Sequence, residues 1–161
     1  MDILESKISV LPPGAGRTVW VDGHPITWKA TGDTTGGAMS VMEVSVPPKL
    51  GAAPHIHNRH DETYYILDGQ FEFLLGSAVA VHGTGAFIHI PRGSVHAFTC
   101  VSNTWGRMLA IFTPSGMEAF FEDLSAISIE DAVRPEVQQR LFDEYGYETA
   151  IRVEMASEDA N

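Results

Sequence analysis

Four side chains able to bind a transition metal fall in two clusters, and this constrains the fold more than any other feature of the chain. The first cluster is His55-Ile56-His57 followed by Glu62, within PHIHNRHDETYYILDG (residues 54–69). The second is His96, within GAFIHIPRGSVHAF (residues 85–98). Two histidines one residue apart on a strand face the same way, because side chains alternate with period 2. Their imidazoles can share one ion. Glu62 lies at an odd offset from both, so a straight strand would aim it at the opposite face. A bend or bulge around Asn58 to Asp61 would bring it back. His96 must arrive from another strand. The fold must therefore wrap strands around a point. Imidazole plus carboxylate suits one divalent transition metal ion per chain, Fe, Mn, Ni, Co, Cu or Zn. Four protein ligands nearly fill a tetrahedral zinc shell, so the spacing leans towards an ion of higher coordination number with open positions.

The surrounding sequence supplies the strands. From Thr18 to Phe112 it reads as short β segments broken by Gly and Pro. Thr18 to Val21 and Ile26 to Ala30 flank the turn signal Asp22-Gly23-His24-Pro25. Ala38 to Val46 ends at Pro47-Pro48. Glu62 to Leu67 and Gln70 to Leu75 flank Asp68-Gly69, a hairpin cue. Val79 to Val81, Ala86 to Ile90, Val95 to Val101 and Gly106 to Phe112 follow. Strands this short predict a sandwich or barrel. After Thr113 the pattern becomes helical. Ser115-Gly116-Met117-Glu118 resembles a capping box, and Met117, Phe120, Phe121 and Leu124 repeat at helical spacing. A second helix is predicted from Pro135 to Tyr145, with Gly146 at its end and Val137, Leu141, Phe142 and Tyr145 as its buried stripe. The expected organisation of the 161 residues is one domain. It has a barrel core over 18–113, a helical segment over 115–147 and a disordered tail over 157–161.

The first cluster resembles the first motif of the cupin superfamily, in His55, His57, Glu62 and the closing Gly69. The second resembles its second motif, in Gly85, Pro91, Gly93 and His96. The likeness covers residues 40–113 directly, and the pairing of the two motifs is what makes it specific. Two positions depart from the pattern. Gly51 stands closer to the histidines than the family's leading glycine, and Cys100 stands where asparagine is frequent. Neither supplies a ligand. Phe120-Phe121-Glu122 and Tyr145-Gly146 further resemble the helices of small quercetinase-like cupins. The resemblance implies an all-β fold, a double-stranded β-helix (jelly-roll) barrel with one or two C-terminal α-helices. It implies a metal-dependent dioxygenase acting on an aromatic, enol or flavonol-like small molecule. His55, His57, Glu62 and His96 would hold the metal, and Glu62 would also serve as catalytic base. Two alternatives stay open. One is a non-redox isomerase, decarboxylase or polyketide-type cyclase using the metal as Lewis acid. The other is a small-ligand-binding cupin without turnover.

Period 2 extends the site into a pocket. If Glu62 faces inward, so do Tyr64 and Ile66; if His96 does, so do Phe98 and Cys100. Met42 on an earlier strand can join them. The family resemblance supports Tyr64 and Phe98 as substrate-binding residues. His60 is expected as a solvated loop residue, His24 as a turn residue and His82 as a loop residue, while His89 would line the pocket or bond a carbonyl. The formal net charge of −11 argues against nucleic acid and anionic membranes, which both require a basic face. The expected partners are a small-molecule substrate and dioxygen. A single cysteine and a start without a long apolar run fit a cytoplasmic protein. An unpaired sheet edge and the apolar residues of the N-terminal arm, Ile3, Leu4, Ile8 and Val10, suggest a homodimer.

Overall fold

A computed structural model describes residues 8–149 of the chain. The expected disordered tail and most of the N-terminal arm lie outside them.

Thr18–Val21 (β1) and His24–Ala30 (β2) form a hairpin. Its turn, Asp22-Gly23, has positive φ at both positions, the geometry whose twist matches paired strands. His24 is thus the first residue of β2, not part of the turn. The remaining strands are Ser40–Val46 (β3), Gly51–His57 (β4), Asp61–Asp68 (β5), Gln70–Leu75 (β6), Ala78–Gly83 (β7), Phe87–Ile90 (β8), His96–Cys100 (β9), Gly106–Thr113 (β10) and Tyr147–Thr149 (β11). One sheet has the order β1-β2-β3-β10-β5-β8 and the other β11-β4-β9-β6-β7, with antiparallel neighbours throughout.

From β3 to β6 the chain changes sheet at every step. This corrects one expectation. Asp68-Gly69 does not close a hairpin, because β5 pairs with β10 and β8 while β6 pairs with β7 and β9. Gly69 instead carries the crossing at φ +87°, where a Cβ would press on Ser102 and Gly106. The neighbouring hairpin is β6–β7. Alternating sheet membership of successive strands makes this a double-stranded β-helix.

The core lies between the sheets. In β3 and β10 every second residue is buried: Met42, Val44 and Val46 in one, Met108, Ala110 and Phe112 in the other. Cross-strand register turns that alternation into rows. Trp28, Met42, Ala110, Tyr64 and Ile88 form one row. The next is Ser40, Phe112, Glu62 and Ile90, which places a carboxylate in a core row. Facing them are Phe71, Phe73, Phe98 and Cys100 of the second sheet. Each large apolar side chain so buried contributes about 1.5–3 kcal/mol.

Two helices follow β10, Met117–Ser125 (α2) and Pro135–Tyr145 (α4), with shorter turns of helix at Gly32–Thr35 (α1) and Ile129–Ala132 (α3). α2 buries Met117 and Phe120, and Phe121 rests 5.9 Å from both Trp28 and Phe112. Its N-cap is Gly116, not Ser115. The expected box fails because Glu118 reaches elsewhere: its carboxylate accepts from the backbone N–H of Gly116 at 3.0 Å and of Gly32 at 2.7 Å, and from the Ser40 hydroxyl. α4 begins with Pro135 and ends at Gly146 in the left-handed conformation. Its fully buried residues are Leu141 and Gln138, while Val137, Phe142 and Tyr145 are half-buried. The glutamine outranks the expected Phe142 because its amide is satisfied at both ends. It donates to the Ala132 carbonyl and accepts from the Thr149 hydroxyl at 2.6 Å.

Candidate metal centre

His55 and His57 are the buried positions at the end of β4. Glu62 stands on β5 in the other sheet, so the odd offset is resolved by a bend through residues 58–60 in which the chain changes sheet. That bend is tied to the end of α4. Asn58 donates its backbone N–H to the Gly146 carbonyl at 2.9 Å. Arg59 donates to the carbonyls of Glu144 at 2.7 Å and Asp143 at 2.8 Å, the exposed acceptors of a helix C-terminus. His60 is buried, not solvated, with Nε2 3.3 Å from the Ser115 carbonyl oxygen. Burial pushes its pKa down.

His96 opens β9 directly opposite His55. The loop before it is held to the first cluster at two points. Gly93, at φ +82°, donates its N–H to the His57 carbonyl at 2.9 Å. Arg92 donates to Asp61 through its backbone N–H at 2.9 Å and its Nε at 3.0 Å. The paired guanidinium holds the Asp61 carboxyl down at about 2.

These anchors bring the four side chains together. One ligand atom from each of His55, His57, Glu62 and His96 lies within 4.8 Å of the others, and all four residues are buried. Glu62 Oε2 is 2.8 Å from His96 Nε2 and 3.3 Å from His57 Nε2. The backbone sets two tautomers. His55 Nδ1 lies 2.7 Å from the Ala53 carbonyl oxygen, and His96 Nδ1 lies 3.0 Å from that of Ser94. A carbonyl only accepts, so both Nδ1 atoms carry a hydrogen, and in the neutral imidazoles both Nε2 atoms are left as lone pairs. Lone pairs and a carboxylate oxygen converging in a buried space repel unless a cation sits among them. The donor set thus fits one transition-metal ion.

The electrostatics agree. Burial, then the charges of His96 and His57, push His55 down to about 3, which keeps it neutral as a ligand must be. Burial alone would raise Glu62, but the charges and hydrogen bonds of His57 and His96 hold it well below the ordinary range. Burial would lower His96, but its hydrogen bond to Glu62 and that group's charge outweigh it and raise the pKa. Tyr64 is pushed well above the ordinary phenol by burial and by its contact with Glu62.

Three of the four, His55, His57 and Glu62, form part of the wall of a cavity of about 350 Å³ between the sheets, closed on one side by α2 and α4. Tyr64, Phe98 and Met42, the three expected substrate-binding residues, all line it. Ile66 and Cys100 are fully buried but do not. His89 neither lines the cavity nor bonds a carbonyl. It faces outward with Nδ1 2.9 Å from the Thr63 hydroxyl. His82 is in β7, opposite Phe71, not in a loop. Tyr147 was missed in the sequence. It lies on β11 opposite His57, its ring 5.5 Å from His55, 5.7 Å from His57 and 4.5 Å from Phe120. Alternating Tyr147 and Thr149 after the helix-ending Gly146 were the available signal, in a run too short to register.

A family model described as a cupin domain matches residues 42–112. The chain is 30% identical over 112 residues to quercetin 2,3-dioxygenase of Aspergillus japonicus, covering 65% of this chain and 32% of that protein. It is 28% identical over 115 residues to quercetin 2,3-dioxygenase of Bacillus subtilis strain 168, covering 71% and 34%. It therefore spans about a third of the length of these curated relatives. Among solved structures, KdgF from Halomonas sp. superposes with a TM-score of 0.58 at 19% identity, over 64% of this chain and 90% of that one. At that identity the likeness speaks for the fold alone.

Proposed function

We propose, from the match of residues 42–112 to a cupin domain, a metal-dependent oxidoreductase, a dioxygenase acting on an aromatic, enol or flavonol-like small molecule. The observation that carries the reading is the buried group of three histidines and one glutamate, of which His55, His57 and Glu62 line a mostly apolar cavity. The two relatives described as quercetin 2,3-dioxygenases support it.

In this reading His55, His57, Glu62 and His96 hold one divalent transition metal. When bound, that ion supplies a Lewis acid for a substrate oxygen and a redox partner for dioxygen. The side chains do the rest. Both histidine contacts to Glu62 fall on Oε2, and in this reading the carboxylate takes a proton from an enol or phenol beside it. Tyr64, Phe98 and Met42 form apolar walls that orient the substrate and keep bulk water away.

The test combines metal analysis of the untagged protein with oxygen uptake on a panel of flavonols and enols. Oxygen consumption in step with substrate loss is expected. Turnover without oxygen uptake would move the assignment to a non-redox isomerase, decarboxylase or cyclase. Tight binding without turnover would leave a ligand-binding cupin. For assembly we propose a homodimer. The support is the exposed edge strand β8, where Phe87 is 68% exposed beside its partner Tyr65. Light scattering at micromolar concentration is expected to give twice the chain mass, and a monomer would overturn it.

A further inference from the structure

Among the residues lining the cavity, His24 Nε2 and His57 Nδ1 have no hydrogen-bond partner, and one tyrosine hydroxyl shares that state. Two tyrosines line it. Tyr64 is committed to Glu62. Tyr147 is different: among the described residues its hydroxyl has no hydrogen-bond partner. The ring itself is firmly placed. It stacks among His55, His57 and Phe120, and its strand is fixed by pairing with β4 on one side and by the Thr149 hydroxyl bond to Gln138. Because Tyr147 and Thr149 pair with His57 and His55, their side chains share the inward face of the ligand histidines. A phenol at neutral pH is a hydrogen-bond donor. Much of the lining is apolar, including Phe120, Phe121, Leu124 and Leu141, and two of its polar groups, Gln138 and Thr149, are bonded to each other. No lysine or arginine lines the cavity.

We propose that Tyr147 is a specificity-determining residue whose hydroxyl donates a hydrogen bond to a carbonyl or hydroxyl oxygen of an otherwise apolar, uncharged ligand seated against the metal cluster. This rests on the cavity being the substrate site. The helical segment and β11 thus do more than close the barrel. They deliver the group that recognises the ligand's oxygen. A donor set to meet an oxygen disfavours a ligand that lacks it, because the seated ligand displaces water from the hydroxyl without replacing its hydrogen bond.

The test measures binding rather than turnover. 1-Indanone and indane are neutral, rigid and nearly equal in shape, and differ by one carbonyl oxygen. Each is titrated by calorimetry into wild type and Tyr147→Phe, with the metal the protein carries and again after chelator dialysis. Tyr147→Phe keeps the ring and removes only the hydroxyl. In both metal states the variant is expected to lose roughly three- to tenfold in affinity for 1-indanone, the range of one net hydrogen bond, with indane unchanged within about twofold. Equal losses for both probes would make Tyr147 a packing residue, and no loss for either would leave the hydroxyl without a role; each overturns the proposal. So does wild type that binds neither probe. The two readings fail separately. Selective loss of 1-indanone with no oxygen uptake on any substrate would sink the dioxygenase assignment and keep Tyr147. Oxygen uptake with unselective binding would do the reverse.

Discussion

Glu62 is the residue on which structure and chemistry meet. It is 2% exposed, faces three imidazoles and keeps its charge only because His57 and His96 compensate its burial. Removing one histidine ligand should empty the site. His57→Ala or His96→Ala is expected to lose most of about one ion per chain, read by elemental analysis after chelator dialysis, since outer partners cannot replace a missing ligand. Full occupancy in both variants would refute the ligand assignment. Glu62→Gln separates ligand from base. It keeps one carbonyl oxygen and three histidines, enough for many catalytic sites, so metal occupancy should fall but stay measurable. The rate per bound metal should fall by about 10²–10⁴-fold, the usual contribution of a placed base. A rate within about threefold of wild type would leave Glu62 as a ligand only. These four residues were legible because metal ligation demands particular side chains at strand spacing. The other histidines were not, because one histidine carries no period. His24 and His60 are buried by what packs over them, and that packing comes from distant parts of the chain.

At the scale of elements, the segment after β10 acts as a strap. Phe120 of α2 touches Phe121, Tyr145, Tyr147 and the ring of His57, so it links helix, added strand and candidate metal cluster. Phe120→Ala is expected to destabilise the protein by about 3–5 kcal/mol, the cost of emptying a well-packed aromatic site. Urea unfolding monitored by tryptophan fluorescence measures it, and a loss under about 1 kcal/mol would show that the strap is not part of the cooperative fold. α4 was readable from Pro135, Gly146 and the helical spacing between them. β11 and the two four-residue helices were not, because three or four residues cannot show a period. The Asp68-Gly69 crossing misled for a related reason. Asp-Gly permits a tight turn, but whether the flanking strands pair is decided elsewhere: β5 pairs with β10 in one sheet and β6 with β9 in the other, a tertiary choice that local sequence does not encode.

For the whole molecule, the buried polar cluster sets how stability follows pH. In metal-free protein His55 titrates at about 3 when folded against an ordinary 6.5, and His60 is also lowered. Between those values the unfolded chain binds more protons than the folded one. Stability is then present above about pH 6.5 and is lost as pH falls below it. Glu62, also lowered, adds a loss as pH falls below its ordinary 4.5. His96 opposes this. Its pKa is raised, so its contribution is complete below 6.5 and fades as pH rises through its folded value. Two lowered histidines against one raised one predict a net loss on acidification. In chelator, the urea midpoint should drop between pH 7 and pH 5, and His55→Gln should flatten that drop. Metal should steepen it, because an ion bound by imidazoles competes with protons for the same nitrogens and stabilises only the folded state. A metal-free midpoint that rises on acidification would mean that the His96–Glu62 pair dominates the cluster. In that case a proton rather than a metal would be its natural occupant.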